Sequence, residues 1–167
     1  DEQQFVQLLQ SLLQRKIFPT TTPEVLAINT LQLNDVVKNA TATLNKNYYN
    51  SPASLNALLQ VLCGHPDKGL KQLAAVEARK LVVKHWAALP DDQKVSLRNQ
   101  LLQFTLNEES KLTRHSAARV VAEIAAQDFE DGQWADLPGN LHQAATSNVA
   151  QHREVGTFII WTTLEQT

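Results

Sequence analysis

Apolar residues along this chain recur every three to four positions with polar residues between them, and alternation at period two is hard to find. That spacing belongs to amphipathic helices and not to half-buried strands. Phe5, Leu8, Leu9, Leu12 and Leu13 share one face of a helix predicted over 2–16. Asp35 to Tyr49 predicts a second, with Asn34 as its cap. Ser51-Pro52 opens a third, proline in the first turn where its missing N–H costs nothing, and Gly64-His65-Pro66 ends it. Leu70 to Leu89 is the fourth. The fifth starts at Pro90-Asp91-Asp92 and runs to about Glu108, and the sixth is Lys111 to Phe129, broken by Asp131-Gly132. Gln133 to Ser147, interrupted near Pro138-Gly139, and Gln151 to Glu165 complete the set. Short connections imply antiparallel neighbours. The exception is Lys16 to Asn34, with two prolines and a threonine run, which reads as an irregular loop or an insertion.

The fourth and sixth helices repeat one another. "QLAAVEARKLVVKHW" from Gln72 aligns with "HSAARVVAEIAAQDF" from His115, an offset of 43 residues. Ala74-Ala75 then falls on Ala117-Ala118, Leu81 on Ile124 and Trp86 on Phe129. Weaker matches place Leu81 on Leu44 and Trp86 on Tyr49, 37 residues back, and Ile124 on Ile160, 36 residues on. Two-helix units at this period are the pattern of HEAT or armadillo repeats. The expected fold is therefore all-α, an α-solenoid of about four HEAT repeats, with antiparallel pairs in a right-handed superhelical stack. The expected repeats are 2–49, 51–89, 90–130 and 132–167 within one domain, 1–167. Alanines in the second helix of each pair allow close stacking, and Tyr49, Trp86 and Phe129 are expected to plug the ends of successive pairs.

Composition narrows the function. Of 167 residues, 43% are hydrophobic and 19% charged, enough to bury one core or several small stacked units. A net charge of -2 supplies no global attraction toward nucleic acid or an anionic membrane. The single cysteine, Cys63, excludes an internal disulfide framework, and its apolar neighbours predict a buried, inert thiol. No apolar run is long enough to span a membrane, and "DEQQF" lacks the features of a signal peptide, so the cell interior is the default expectation. Asn39-Ala40-Thr41 matches a glycosylation sequon, which has no meaning in that setting. Without any methionine, and stopping inside an apolar helical pattern, the chain reads as a piece of something longer.

Catalytic chemistry finds no foothold, so no catalytic, metal or cofactor site is expected. Asp128, Glu130, Asp131 and Asp136 gather at one helix end, but without a Ser, Cys or His partner they read as a solvated turn. His65, His85, His115, His142 and His152 never pair at the i, i+4 spacing of a helical zinc site. Four of them are expected at the surface, and His85, beside Trp86, half-buried. Basic residues collect on the second helices: Arg79, Lys80 and Lys84, then Arg114 and Arg119, then Arg153. Without aromatic stacking platforms these do not make a nucleic-acid track. They suit a protein-binding scaffold, where long basic side chains meet acidic groups of a partner.

Several stretches, in order, resemble the N-terminal HEAT repeats of importin-beta-type karyopherins, most of all the importin-four branch of fungi. They are "QLAAVEARK" (Gln72 to Lys80), "RHSAARVVAEIA" (Arg114 to Ala125), "WADLP" (Trp134 to Pro138) and "REVG" (Arg153 to Gly156). "ATATLNKNYYNSPASL" (Ala40 to Leu55) resembles the inner helix and following turn of that family's first repeat, while 16–34 departs from it as extra length. The resemblance implies a nuclear import receptor, shuttling between cytoplasm and nucleus, whose first repeats hold the small GTPase Ran in its GTP form. It implies Lys80 as a Ran-facing cation, with Arg79, Lys84, Arg119 and Arg153 as companions by position. It also implies contact with Phe-Gly nucleoporins between outer helices, where Leu58, Leu62, Leu101 and Phe104 lie, although core packing explains each of those four as well. Basic cargo (histones, ribosomal proteins) would sit on later repeats. The competing expectation is a structural HEAT scaffold that makes no nucleotide-dependent contact.

Overall fold

The computed structural model describes residues 2–13, 35 and 37–166. The expectations for 16–34, for an Asn34 cap and for the first helix beyond Leu13 fall outside the described residues. Eight α-helices and no strand occur among the described residues: α1 (Glu2–Leu13), α2 (37–47), α3 (Ala53–Gly64), α4 (Lys68–His85), α5 (Asp91–Asn107), α6 (Lys111–Glu130), α7 (Leu137–Ala145) and α8 (Ala150–Gln166). A 3-10 turn, Trp86–Ala88, follows α4. The fold is the expected all-α solenoid of paired helices. The second helices stack as one layer, α4 on α6 and α6 on α8, and α3, α5 and α7 pack behind them. We call these the inner and outer layers.

Local chemistry sets the helix ends. Asp67 accepts a hydrogen bond from the Leu70 amide at 2.9 Å and caps α4. Ser110 accepts from the Thr113 amide at 3.5 Å and caps α6. Pro90 precedes α5, whose first turn carries Asp91 and Asp92 against the positive end of the helix dipole. The expected seventh helix is shorter at its start. Pro138 lies in the first turn of α7 and begins that helix instead of interrupting an earlier one. The residues before it turn back through Gly132 (φ 69°) and Trp134 (φ 55°). A left-handed tryptophan is strained on its own, and its burial at 6% exposure holds it there.

The inner layer owes its closeness to small side chains. Ala74, Ala75 and Ala78 of α4 and Ala117, Ala118, Ala122 and Ala125 of α6 are all buried, as the aligned alanines predicted. Leu55, Leu58, Leu59 and Leu62 of α3 and Leu97, Leu101 and Leu102 of α5 supply bulk from behind. Each such leucine contributes about 1.5–3 kcal/mol of apolar burial. At the far end Gly156 of α8 lies against α7 so closely that a Cβ there would stand 2.9 Å from the Ala144 Cβ.

The plugs differ from the aligned pattern. Tyr49 and Trp86 are buried, but Phe129 is 41% exposed. Asp128 takes the inward place at the end of α6, at 1% exposure, so the expected solvated carboxylate turn is corrected there; Glu130, Asp131 and Asp136 do face water. Asp128 accepts from the Trp86 indole at 2.8 Å and from Arg98 Nε at 2.7 Å. Arg98 also donates to Gln133 at 2.9 Å and lies over the rings of both Trp86 and Trp134. A cation between two indoles, closed by a carboxylate, fills the space assigned to Phe129. The forward match also slips by one residue: Ile159 is fully buried, while Ile160 is 36% exposed.

Candidate functional site

The candidate surface is the solvent face of the inner layer, built mainly on α4. Leu70, Ala74, Ala78, Leu81 and Val82 turn inward, so Val76, Arg79, Lys80, Val83 and Lys84 are left facing out. Lys80 projects into solvent, with 68% of its side chain exposed, and pairs with Glu77 at 3.2 Å. Lys84 reaches across to Asn50 at 3.4 Å. Arg79 reaches the other way, to Glu123 of α6 at 3.7 Å. Arg119 lies over the Phe158 ring of α8, 5.5 Å from its centre. Arg153 donates to the Ser147 carbonyl at 2.7 Å and braces the turn before α8. The five predicted cations therefore share one layer without converging on one point: three belong to α4, and the other two each serve a contact of their own.

Arg114, counted with these cations from sequence, is buried. It donates to the carbonyls of Glu108 and Glu109 at 2.9 and 3.2 Å and faces Glu154 at 3.7 Å. His115 stands beside it, stacked on Phe158 with ring centres 4.0 Å apart and its Nε2 against Glu154. His85 is buried more completely than expected and donates to the Tyr49 carbonyl at 2.6 Å. These contacts tie α4 back to the turn after α2, and α6 forward to α8. A pocket of about 490 Å3 opens between α2 and α4, bordered by Thr41, Asn45, Glu77, Lys80 and Lys84 among others. At its floor burial, and then the Glu77 carboxylate, hold the Tyr49 hydroxyl far above its ordinary pKa.

Leu58, Leu62 and Leu101 are buried at 0–1% exposure, so they serve the core packing that also explained them, and the Phe-Gly contact is corrected for these three because they offer no area to a peptide. Phe104 is half-buried, with the Lys71 ammonium 5.2 Å over its ring. Cys63 is half-buried, and burial pushes its thiol up to about 11, offset in part by Lys71. Among the described residues no group of His, Cys, Asp or Glu could hold a metal ion, and no helix is long and apolar enough to cross a membrane. Sequence reasoning missed Val76 and Val83, which its repeat alignment treated as ordinary helix positions. Their i, i+7 spacing on the side of α4 opposite Ala74, Ala78 and Leu81 was the available signal.

Comparison with known proteins places this geometry. Residues 40–107 match the family described as Importin-beta N-terminal domain, and residues 109–166 match IPO5-like, TPR repeats. Over 164 residues, 97% of the chain, it is 32% identical to "Probable importin subunit beta-4" of Schizosaccharomyces pombe. It is 29% identical over 112 residues, 65% of the chain, to "Importin-4" of Mus musculus. A crystal structure of a Kap121p mutant superposes over 98% of the chain with a TM-score of 0.70 at 20% identity, a likeness of fold. The chain spans 14%, 10% and 15% of the lengths of these three proteins.

Proposed function

Because this chain belongs to the importin-beta family of karyopherins, a non-enzymatic class of transport receptor, we propose that it is the Ran-GTP-binding N-terminal region of a nuclear import receptor. The observation that carries this reading is the coincidence of the 40–107 match with α4, which turns Arg79, Lys80 and Lys84 to solvent. Ran bound to GTP has switch segments ordered by the γ-phosphate and magnesium, and they relax on hydrolysis. A surface that fits the ordered form is left without its partner once GTP is gone. Cargo release then follows from exchange: Ran-GTP occupies this end of the receptor, and basic cargo on later repeats departs. Lys80 is the foremost Ran-facing cation in this reading, with Arg79, Lys84, Arg119 and Arg153 around it. The receptor shuttles between cytoplasm and nucleus.

Passage through the pore requires weak contact with Phe-Gly nucleoporins. With Leu58, Leu62 and Leu101 in the core, Phe104 is the candidate of the original four that reaches the surface of the outer layer. Titration of the chain with Ran carrying a non-hydrolysable GTP analogue, against Ran-GDP, tests the main reading. Tighter binding to the GTP form is expected. Equal affinity for both forms would replace this reading with that of a structural scaffold.

A further inference from the structure

Two valines occupy the centre of the stripe that α4 turns to solvent. Val76 is 51% exposed and Val83 61%, and seven residues set them about two turns apart on one line. Arg79 flanks that line toward α6, and Lys84 flanks it toward the turn after α2. Lys80 stands between the valines, paired with Glu77. Helix stability gives no reason for valine here. Its branched Cβ loses rotamer freedom in a helix, and its methyl groups remain in water. Outward positions of the outer layer carry amides such as Asn56, Gln60, Asn99 and Gln100, together with a comparably exposed valine, Val95 at 52%.

We propose that Val76 and Val83 form the apolar centre of a docking strip, rimmed by Arg79, Lys80 and Lys84, for a folded protein surface whose own apolar centre is ringed by carboxylates. The strip rests on the reading of this layer as a GTPase-binding surface and adds which side chains carry the affinity. Two of the three cations are held by internal carboxylates, Lys80 by Glu77 at 3.2 Å and Arg79 by Glu123 at 3.7 Å. A partner carboxylate therefore exchanges for an internal one, with small net gain, and the cations chiefly steer and orient. The valines gain by leaving water, a contribution that salt does not screen.

The two contributions separate experimentally. The parent chain, a Val76→Ser/Val83→Ser pair and a Lys80→Ala/Lys84→Ala pair are titrated with Ran carrying the GTP analogue, at about 50 and about 300 mM salt. The valine pair is expected to weaken binding on the order of tenfold at both salt concentrations, leaving the salt dependence of the parent. The lysine pair is expected to flatten the salt dependence. Should the serine pair melt early, Val76→Ala/Val83→Ala gives the same reading with a better helix former. Valine variants that bind like a parent that does bind would overturn the strip alone. A parent that binds Ran in neither nucleotide state would overturn the strip and the GTPase reading together.

Discussion

The inner and outer layers share one core and turn opposite chemistry to solvent. Helices α3 and α7 contain no Asp, Glu, Lys or Arg, and α5 exposes charge only in its first turn, at Asp91 and Asp92, since Lys94 and Arg98 are buried. Amides take their place: Gln60 pairs with Gln100 across α3 and α5, and Asn99, Gln103, Asn140 and Gln143 border a groove between α5 and α7. The inner layer instead exposes Arg79, Lys80, Lys84, Arg119 and Arg153. Both layers meet water, so solubility alone would not segregate them. Charge gathers on one face and neutral polarity on the other.

The strongest test of this contrast breaks the joint between the layers. Arg98 of outer α5 is held by Asp128 of inner α6, both nearly buried. Asp128→Ala strands a guanidinium without its counter-charge and is expected to cost about 3–5 kcal/mol in chemical denaturation. A loss below about 1 kcal/mol would mean that the two indoles suffice. A smaller effect comes from the far pair, where Gly156→Ala drives a Cβ toward the Ala144 Cβ and, at 3.0 Å, the Ala145 amide nitrogen. About 1–3 kcal/mol is expected in the same assay, because the two backbones must separate.

The outer layer also carries a pH effect. With Cys63 raised to about 11 in the folded chain, the unfolded thiol ionises first, near its ordinary value of 9.0. Stability from this group is therefore complete below pH 9 and falls as pH rises toward 11, joined above about pH 10 by Tyr49, whose pKa is raised as well. Cys63→Ala should remove the part of the decline that begins near pH 9 in a pH series of thermal melts. Alkylation of the folded chain at pH 8 should be slow for the same reason. The smallest effects sharpen the contrast between the surfaces. Arg79→Ala should cost only about 0–1 kcal/mol, and that cost should shrink with salt, since the Arg79 side of its 3.7 Å pairing with Glu123 is exposed. Gln60→Ala should change stability by under about 0.5 kcal/mol at any salt. Matching salt dependence in the two variants would dissolve the distinction.

The sequence by itself determined the helical class, the pairing and the close-stacked alanines, because 3.6-residue periodicity and short connections are local and the Ala74-Ala75 and Ala117-Ala118 match is a direct record of packing. It also singled out the α4 cations, since a charged residue opposite a buried face has only solvent to enter. Tertiary structure decided the rest. Whether Asp128 or Phe129 turned inward depended on the Trp86 indole and the Arg98 guanidinium, which arrive from two other helices and can satisfy a buried carboxylate. Whether Arg114 was surface or core depended on the carbonyls of Glu108 and Glu109 at the preceding turn and on Glu154 from α8. A spacing along one helix reports which residues share a face, but partners brought by other helices decide whether a charge on that face can be buried.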